Sequence, residues 1–378
     1  MAALGDEGGR RAQIDGLRVL AMVGVLYVHY WNERPTLEFV RVSLFFVVSG
    51  FLISHILLSS KDSLSKISII NFYIRRSLRL LPSLFLVLLI AVLFNMDGIR
   101  SSVKWHVLQG SNLYFMNTEG WKPWIVAHLW SLNVVEQFYI LSPIIIMFFS
   151  RRSIFLIYAG VFALSIVLRV HCVDLGISPW AKIVLFVFDP LAAGAILALV
   201  KENRDVQAVL TSRLSNLVSI AIIFSPFVVG HNFGQSESYR ILSIYALSSV
   251  VLSAYVGYGG VVALVLANPV ARFLSRVSYS TYIYHMAIWW LIAENWPTLY
   301  HKGPITFFAM STSTIIVATL SWHLVEKHFD ALKVFFPVAK TLHNPAGDTV
   351  SDRPRNLPVK SQTASPKDGS ISYARSGW

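Results

Sequence analysis

Cysteine and charged residues are both scarce in this sequence of 378 residues. It contains one cysteine, Cys172, which excludes an internal disulfide and a metal site built from paired cysteines. Charged residues make up 14% of the chain and hydrophobic residues 55%, whereas soluble domains carry roughly 25% charged residues. A water-soluble core cannot bury so much apolar side chain, so the composition predicts a multi-pass membrane protein in contact with membrane lipids.

Several motifs of familiar enzyme classes are also missing. The sequence has no phosphate-binding P-loop, no G-x-S-x-G nucleophile turn and no H-E-x-x-H metal site, so we expect no metal. The net charge of +12 is high enough to suggest nucleic acid. However, Lys and Arg lie mostly between apolar segments, where the positive-inside rule places them. We therefore expect no nucleic-acid partner.

Apolar segments of about 20 residues, the length that spans a bilayer, occur ten times. They lie at about 14–31, 38–58, 79–96, 129–149, 153–170, 181–200, 214–231, 241–264, 273–295 and 304–325. The first segment ends in Tyr30, Trp31 and Asn32, without the small residues of a signal-peptide cleavage site. The pattern of basic residues between segments predicts an all-α protein with about ten transmembrane helices and both termini in the cytoplasm.

The chain divides into three parts by composition. Residues 1–13 form a predicted cytoplasmic N-terminal segment, and residues 14–330 a transmembrane domain. Residues 340–378 are rich in Ser, Pro, Asp, Lys and Gly, which predicts a disordered basic cytoplasmic tail. The longest internal loop, 97–127, carries several aromatic residues and is predicted on the outer side. They form either an aromatic belt at the membrane interface or a platform that stacks on a sugar.

Two ionisable residues, Arg18 and His29, lie inside the first apolar segment. Eleven residues at about 100° each return a helix to within roughly 20° of the same face, about 16 Å further along. An ionisable group in lipid is costly and marks a candidate functional site, and histidine is the most frequent general base. The pair therefore predicts a catalytic role for His29. The alternative is that His29 only packs and hydrogen-bonds against a neighbouring helix.

A basic cluster and an isolated glutamate follow. Arg75, Arg76 and Arg79 share a helical face, and guanidinium groups bind phosphate through two bonds. The cluster therefore has two interpretations. It binds a phosphate-rich donor, or it is an orientation signal or contacts lipid headgroups. Glu136 lies in an apolar segment and needs a cationic partner from another helix, either for catalysis or as a structural ion pair.

The ninth predicted helix carries a further polar stripe. Tyr279, Tyr282 and His285 fall at positions i, i+3 and i+6, roughly along one face. Hydroxyl groups on such a face can bind a donor or a sugar, or can hydrogen-bond neighbouring helices together. Both interpretations remain open from these residues.

Taken in order, six segments resemble the membrane acyltransferase 3 family, the O-acetyltransferases that modify bacterial polysaccharides. The segments are IDGLR with His29, LFFVVSGFLIS, FYIRRSLRLLP, WSLNVVEQFYILSP, SYSTYIYH and WHLVEKHF, and they extend from about residue 13 to 330. In the family's pattern, Arg18 and His29 match its arginine–ten residues–histidine pair, Arg76 and Arg79 its R-x-x-R pair, and Tyr279 to His285 its Y-x-x-Y-x-x-H stretch.

One position departs from that pattern. The family usually has a glutamate five residues after the tryptophan of W-S-L, where this chain has Val135 followed by Glu136. A shift of one residue turns a side chain by about 100° on a helix. Glu136 therefore either reaches the usual place through a local distortion, or the role of the family glutamate is filled differently.

The resemblance implies an integral-membrane O-acetyltransferase of the bacterial inner membrane, in the stand-alone form without an appended hydrolase-like domain. It implies acetyl-CoA as acyl donor, no permanently bound cofactor, and a glycan or glycolipid acceptor such as an O-antigen, an exopolysaccharide or a nodulation-type lipo-oligosaccharide. The expected catalytic residues are His29, Arg18 and Glu136, and the expected donor-binding residues are Arg75, Arg76, Arg79, Tyr279, Tyr282 and His285. The alternatives are a transporter or flippase of acylated or lipid-linked sugars, and acylation of a small molecule such as a macrolide.

Overall fold

The computed structural model describes residues 7–32, 35–61, 66–184, 187–297 and 301–337. The predicted tail, 340–378, and residues 1–6 of the predicted N-terminal segment lie outside this part. The regular structure of the described residues is entirely helical, so the all-α prediction is confirmed.

Long α-helices are interspersed with short ones along the described part of the chain. In order, they are α1 (Glu7–Tyr30), α2 (Pro35–Ser59), α3 (Lys66–Leu93), α4 (Val103–Val107), α5 (Ser111–Thr118), α6 (Leu129–Phe148), α7 (Arg151–His171), α8 (Asp189–Val200), α9 (Arg204–Leu210), α10 (Arg213–Phe224), α11 (Pro226–Val229), α12 (His231–Gly234), α13 (Glu237–Val256), α14 (Gly260–Leu266), α15 (Pro269–Asn295), α16 (Pro304–Ser321) and α17 (Lys327–Ala331). Short 3-10 segments occur at Met96–Ser101, Trp124–Val126, Pro179–Ile183 and Leu332–Phe335, and a π-helical turn at Trp322–Glu326.

Six helices of the described chain are long and apolar enough to cross a membrane, or up to eight if two bent pairs each form one span. The bent pairs are Arg204–Leu210 with Arg213–Val229, at 52°, and Gly260–Leu266 with Pro269–Asn295, at 43°. α1, which carries Asp15, Arg18 and His29, is not among the six, and α8 has only 12 residues. The predicted count of ten is therefore not confirmed, and the cytoplasmic placement of the termini stays a prediction.

Glycine allows α2 and α8 to pack backbone against backbone. A methyl group on Gly50 would lie 2.1 Å from the carbonyl oxygen of Leu191, and one on Gly194 would lie 2.2 Å from that of Val47. Both distances are too short for any side chain, so these contacts require glycine. The two helices belong to the larger of the hydrophobic cores, which also includes residues of α1, α6 and α13.

The predicted outer loop at 97–127 is folded into short helices that pack on the domain. Trp121 lies among protein rings, with its centroid 5.0 Å from that of Trp180 and 5.6 Å from that of Phe115. The backbone N–H of Ser111 donates to Asn133 of α6 at 2.6 Å. Trp121 is therefore part of the packing, whereas Trp124 is 43% exposed.

Candidate active site

A cavity of about 490 Å³ lies between α1, α2, α3, α6 and α15. Its apolar walls include Ala21, Met22 and Val25 of α1 and Phe45 of α2. Among the described residues that line it, the strongly charged ones are Asp15, Arg18, Arg41, Arg76 and Arg79. Four cations against one carboxylate make the cavity strongly positive.

Arg18 and Arg79 form part of a cationic end of the cavity. Arg18 Nη1 lies 3.4 Å from an oxygen of Asp15, and the Asp15 carboxylate also accepts a bond from Ser275 Oγ at 3.0 Å. Arg79 is an exposed side chain that lines the cavity and forms no hydrogen bond or ion pair with the described residues. Its guanidinium group is therefore available to an anionic ligand.

Arg76 is held by the isolated glutamate of α6. Its Nε and Nη2 donate to the two carboxylate oxygens of Glu136 at 3.1 and 2.8 Å, and its guanidinium carbon lies 3.1 Å from the centre of the Tyr139 ring. Glu136 thus has the cationic partner that a membrane carboxylate requires. It is not among the lining residues, whereas Val135 is. The carboxylate orients Arg76, and its predicted catalytic role stays a prediction.

Three histidines from three parts of the chain meet next to Tyr282, a residue that lines the cavity. His29 Nδ1 lies 3.1 Å from Nε2 of His285, and the His128 ring centre is 4.7 Å from that of His285. Nδ1 of His285 lies 2.6 Å from the carbonyl oxygen of Tyr282, an atom that can only accept. This nitrogen therefore carries the proton of the neutral ring.

That bond fixes the tautomers along the histidine pair. Because Nδ1 of His285 donates to a carbonyl, Nε2 of the neutral ring can only accept, and Nδ1–H of His29 donates a hydrogen bond to it. The remaining nitrogen of His29, Nε2, then has a lone pair and no proton. A neutral imidazole held with an unprotonated Nε2 is ready to act as a general base.

His29 itself is not among the residues that line the cavity, but Val25, one helical turn before it, is. Arg18 lines the cavity as well, so the two residues singled out in the first apolar segment lie along the same side of α1, as the spacing predicts. The cavity therefore extends from the arginines toward the histidine cluster.

The remaining predicted residues are distributed differently. The Tyr279 ring lines the cavity, and its buried hydroxyl has no hydrogen-bond partner among the described residues. Tyr282 also lines it, but its hydroxyl donates to the carbonyl of His128 at 2.7 Å. Arg75 is not part of the lining; its Nη1 donates to the carbonyls of Lys333 and Phe336 at 2.8 and 3.3 Å. Its predicted contact with the donor stays a prediction.

Two residues of this site were missed by the sequence analysis, Arg41 and His128. Arg41 is a charged residue within the predicted span 38–58, and a charge in such a position is itself a signal of function. Within that span, only the SGF segment that follows Arg41 was interpreted. His128 precedes the WSL segment at the start of α6. Only its proximity to His285 in space marks it, because no helical periodicity connects the two.

Comparison with known proteins identifies the family of this chain. A family model described as an acyltransferase domain matches residues 11–323. The protein named "Putative O-acetyltransferase SACOL0978" of Staphylococcus aureus strain COL is 29% identical in an alignment 353 residues long that covers 84% of this chain and 56% of the relative. O-acetyltransferase OatA of strain NCTC 8325 / PS 47 is 25% identical in an alignment 351 residues long that covers 83% of this chain and 56% of the relative.

The chain thus spans little more than half the length of these relatives. No solved structure matches it significantly. The family model nevertheless covers most of the chain, in the same residues that form the helical domain and the cavity. The chain therefore belongs to the acyltransferase 3 family.

Proposed function

We propose that this protein is an integral-membrane O-acetyltransferase that moves an acetyl group from acetyl-CoA to a sugar hydroxyl of a bacterial glycan or glycolipid. The observation that carries the proposal is a cavity lined by arginines, with a hydrogen-bonded pair of histidines directly beside Tyr282 of its wall. Acyl transfer from a coenzyme A thioester needs both, a site for phosphates and a base for the acceptor hydroxyl.

The donor would be oriented by the charge of the cavity. Arg18 and Arg79 offer N–H groups to the phosphates of coenzyme A, and Arg76 adds a guanidinium already oriented by Glu136. The buried hydroxyl of Tyr279 offers a further hydrogen bond once the cavity is filled. An elongated donor with phosphates at one end and a thioester at the other suits this arrangement.

Catalysis would begin when Nε2 of His29 takes the proton of the acceptor hydroxyl. The acceptor oxygen then bonds to the thioester carbonyl carbon, and the carbon–sulfur bond breaks. Coenzyme A leaves as a thiolate that takes the proton from the His29 imidazolium, so the products are an acetyl ester and the free thiol. A covalent acetyl-histidine intermediate is the alternative route through the same residue.

The names of the relatives support transfer to oxygen, because both carry the word O-acetyltransferase. We extend this to a glycan acceptor, such as an O-antigen, an exopolysaccharide or a nodulation-type lipo-oligosaccharide, and to the bacterial inner membrane. Mass spectrometry of surface and secreted glycans from a deletion strain would identify the acceptor, since the loss of one acetyl group lowers the mass of the modified sugar.

The test uses the full-length protein in proteoliposomes with radiolabelled acetyl-CoA and the strain's glycan fraction. We expect His29→Ala to lower transfer by about 10²–10⁴-fold, the usual contribution of a positioned base. His171→Ala removes an exposed histidine at the end of α7 and serves as the matched control, with unchanged transfer. Full activity in His29→Ala contradicts the assignment, and movement of unacetylated substrate across the vesicles without transfer indicates a transporter.

A further inference from the structure

Arg41 is a buried cation that the proposed donor site leaves without a role. Its residue is 5% exposed, it lies on α2, and its side chain lines the cavity. Burying a charged group in a membrane domain is costly, so such residues usually serve function. The other cavity arginines lie on α1 and α3.

Gly24 shows where the Arg41 side chain, which comes from α2, packs against α1. A methyl group on Gly24 would lie 3.2 Å from Cβ and 3.7 Å from Cδ of Arg41, so the arginine stem crosses α1 at that residue. Gly24 follows Arg18 by six residues and precedes His29 by five, about 9 Å and 7.5 Å along the helix. Arg41 therefore crosses between the cationic end and the histidine pair.

The charge of Arg41 lies close enough to the three histidines to interact with them. Its positive charge acts on the rings of His29, His128 and His285. The charges of Arg18 and Arg76 act instead on Arg79, at the other end of the cavity. Three arginines thus form one group, and the fourth lies close to the proposed base.

From this placement we propose that Arg41 stabilises the negative charge that develops on the thioester carbonyl oxygen during acetyl transfer, an inference that rests on the function proposed above. When the acceptor oxygen bonds to the carbonyl carbon, the π electrons of the C=O bond move to the oxygen. They return as the carbon–sulfur bond breaks. A fixed cation in a site of low dielectric stabilises this oxyanion more than the neutral thioester, and so accelerates the reaction.

A role in stabilising the oxyanion distinguishes Arg41 from the donor-binding arginines, because its loss lowers kcat and leaves donor binding unchanged. We expect Arg41→Met to lower kcat by about 10²–10³-fold, the usual cost of losing one oxyanion donor. The KM for acetyl-CoA and the Kd of coenzyme A itself, measured by calorimetry, stay within about threefold because this residue binds the transition state and not the phosphates. Arg41→Lys, which keeps the charge, recovers part of the loss.

Arg240→Met is the matched control. Arg240 is a partly buried arginine on α13 whose guanidinium carbon lies 4.1 Å from the centre of the Phe39 ring, near Arg41 on α2 but outside the cavity lining. We expect this variant to leave kcat unchanged, which distinguishes the loss of a particular charge from the loss of any buried arginine.

Gly24 supplies a second variant that keeps the arginine. In Gly24→Ala the added methyl group displaces the Arg41 stem, so we expect kcat to fall about tenfold or more. In the Arg41→Met background the same change should cost less than about twofold, since contacting residues are not additive. Equal losses in both backgrounds indicate a general packing defect and overturn the assignment.

The outcomes separate this inference from the proposed function. An active wild-type protein with unchanged kcat in Arg41→Met overturns the role of Arg41 alone. A weaker Kd for coenzyme A with unchanged kcat makes Arg41 a phosphate-binding residue instead. A wild-type protein that transfers no acetyl group from acetyl-CoA overturns the proposed function and this inference together.

Discussion

Arg79 differs from the other cavity arginines in having no partner among the described residues. Arg18 has Asp15 and Arg76 has Glu136, and each of these carboxylates competes with a ligand for the guanidinium. Arg79 is exposed in the cavity with all its donors available. It should therefore contribute more to phosphate binding than either neighbour.

We predict that Arg79→Met raises the KM for acetyl-CoA by about ten- to a hundredfold, because a hydrogen bond to a charged group contributes about 1.5–3 kcal/mol. The effect on kcat should be small, and the KM difference should shrink at high salt. Steady-state kinetics at two ionic strengths measure both. Arg100→Met removes an arginine whose hydrogen bonds, within the described part of the chain, go to the carbonyls of Val92 and Leu93, and an equal effect there contradicts the prediction.

Several site residues could be predicted from sequence because each lies on one helix with recognisable spacing. Arg18 and His29 are in phase on α1, and Arg76 and Arg79 share a face of α3. For Glu136, the sequence predicted a cationic partner from another helix, and that partner is Arg76. Arg41 and His128 could not be placed, because helical periodicity gives the face of one helix and not which neighbour that face meets.

Among the helices, the contact between α2 and α8 depends most directly on single residues. We predict that Gly194→Ala destabilises the protein by about 1–3 kcal/mol, because its methyl group overlaps the backbone of α2 and forces the helices apart. Gly160→Ala in α7 is the control, since no atom lies within 4 Å of the added methyl. It should stabilise by about 0.5–1 kcal/mol through helix propensity.

Thermal unfolding of the purified protein in one detergent compares the two glycine variants. A lower unfolding temperature in Gly194→Ala and an unchanged or higher one in Gly160→Ala fits the prediction. If both variants behave alike, close backbone contact between α2 and α8 does not determine stability.

The short helices α4 and α5 contain a pH-sensitive group. His106 is fully buried between Ser102 and Ser111 at 3.1 and 2.9 Å, and burial lowers its pKa from 6.5 to about 4. Between these values the unfolded segment binds a proton that the folded segment does not. The stability of the segment is therefore complete above pH 6.5 and decreases as the pH falls toward 4.

Hydrogen exchange of residues 96–126 at pH 7.0 and 5.0 tests this prediction. After correction for the intrinsic exchange rates, we expect lower protection at pH 5.0 in the wild-type protein. The difference should be much smaller in His106→Gln, which cannot take up the proton. A pH effect of equal size in the variant assigns it to another group.

At the scale of the whole molecule, a buried ionic network joins α7, α8 and α13. Arg169 donates to both oxygens of Asp189 at 3.1 and 2.9 Å, and its Nε donates to Glu237 at 2.7 Å. The side chains of Arg169 and Asp189 are 1% and 0% exposed. Removing one partner leaves a buried charge without compensation, so the network restrains the positions of three helices.

We predict that Arg169→Met destabilises the protein by about 3–5 kcal/mol. Adding Asp189→Asn should recover part of this loss, because the buried negative charge is then gone as well. Asp174→Ala removes one side of an exposed pair with His171 and should cost less than about 1 kcal/mol. Unfolding in denaturant measures all three, and no recovery in the double variant contradicts the argument.

The all-helical membrane class followed from composition, because few charges and many apolar residues allow little else. The number of spans did not follow. Apolar length alone does not show that α8 begins only at Asp189 and has 12 residues, or that two segments bend at the breaks between α9 and α10 and between α14 and α15. The folded state of residues 97–127 was also unpredicted, because its aromatic contacts join residues distant in sequence.

Glycine contacts hold α2 against α8, and α2 itself sets a length along the cavity. Arg41 and His55 both lie on α2 and both line the cavity, fourteen residues or about 21 Å apart along the helix. A donor that contacts both residues must match that span. Shortened thioesters without a nucleotide would occupy one end only and would lose turnover as well as affinity, because binding energy from the remote part of a substrate is used at the reacting atoms.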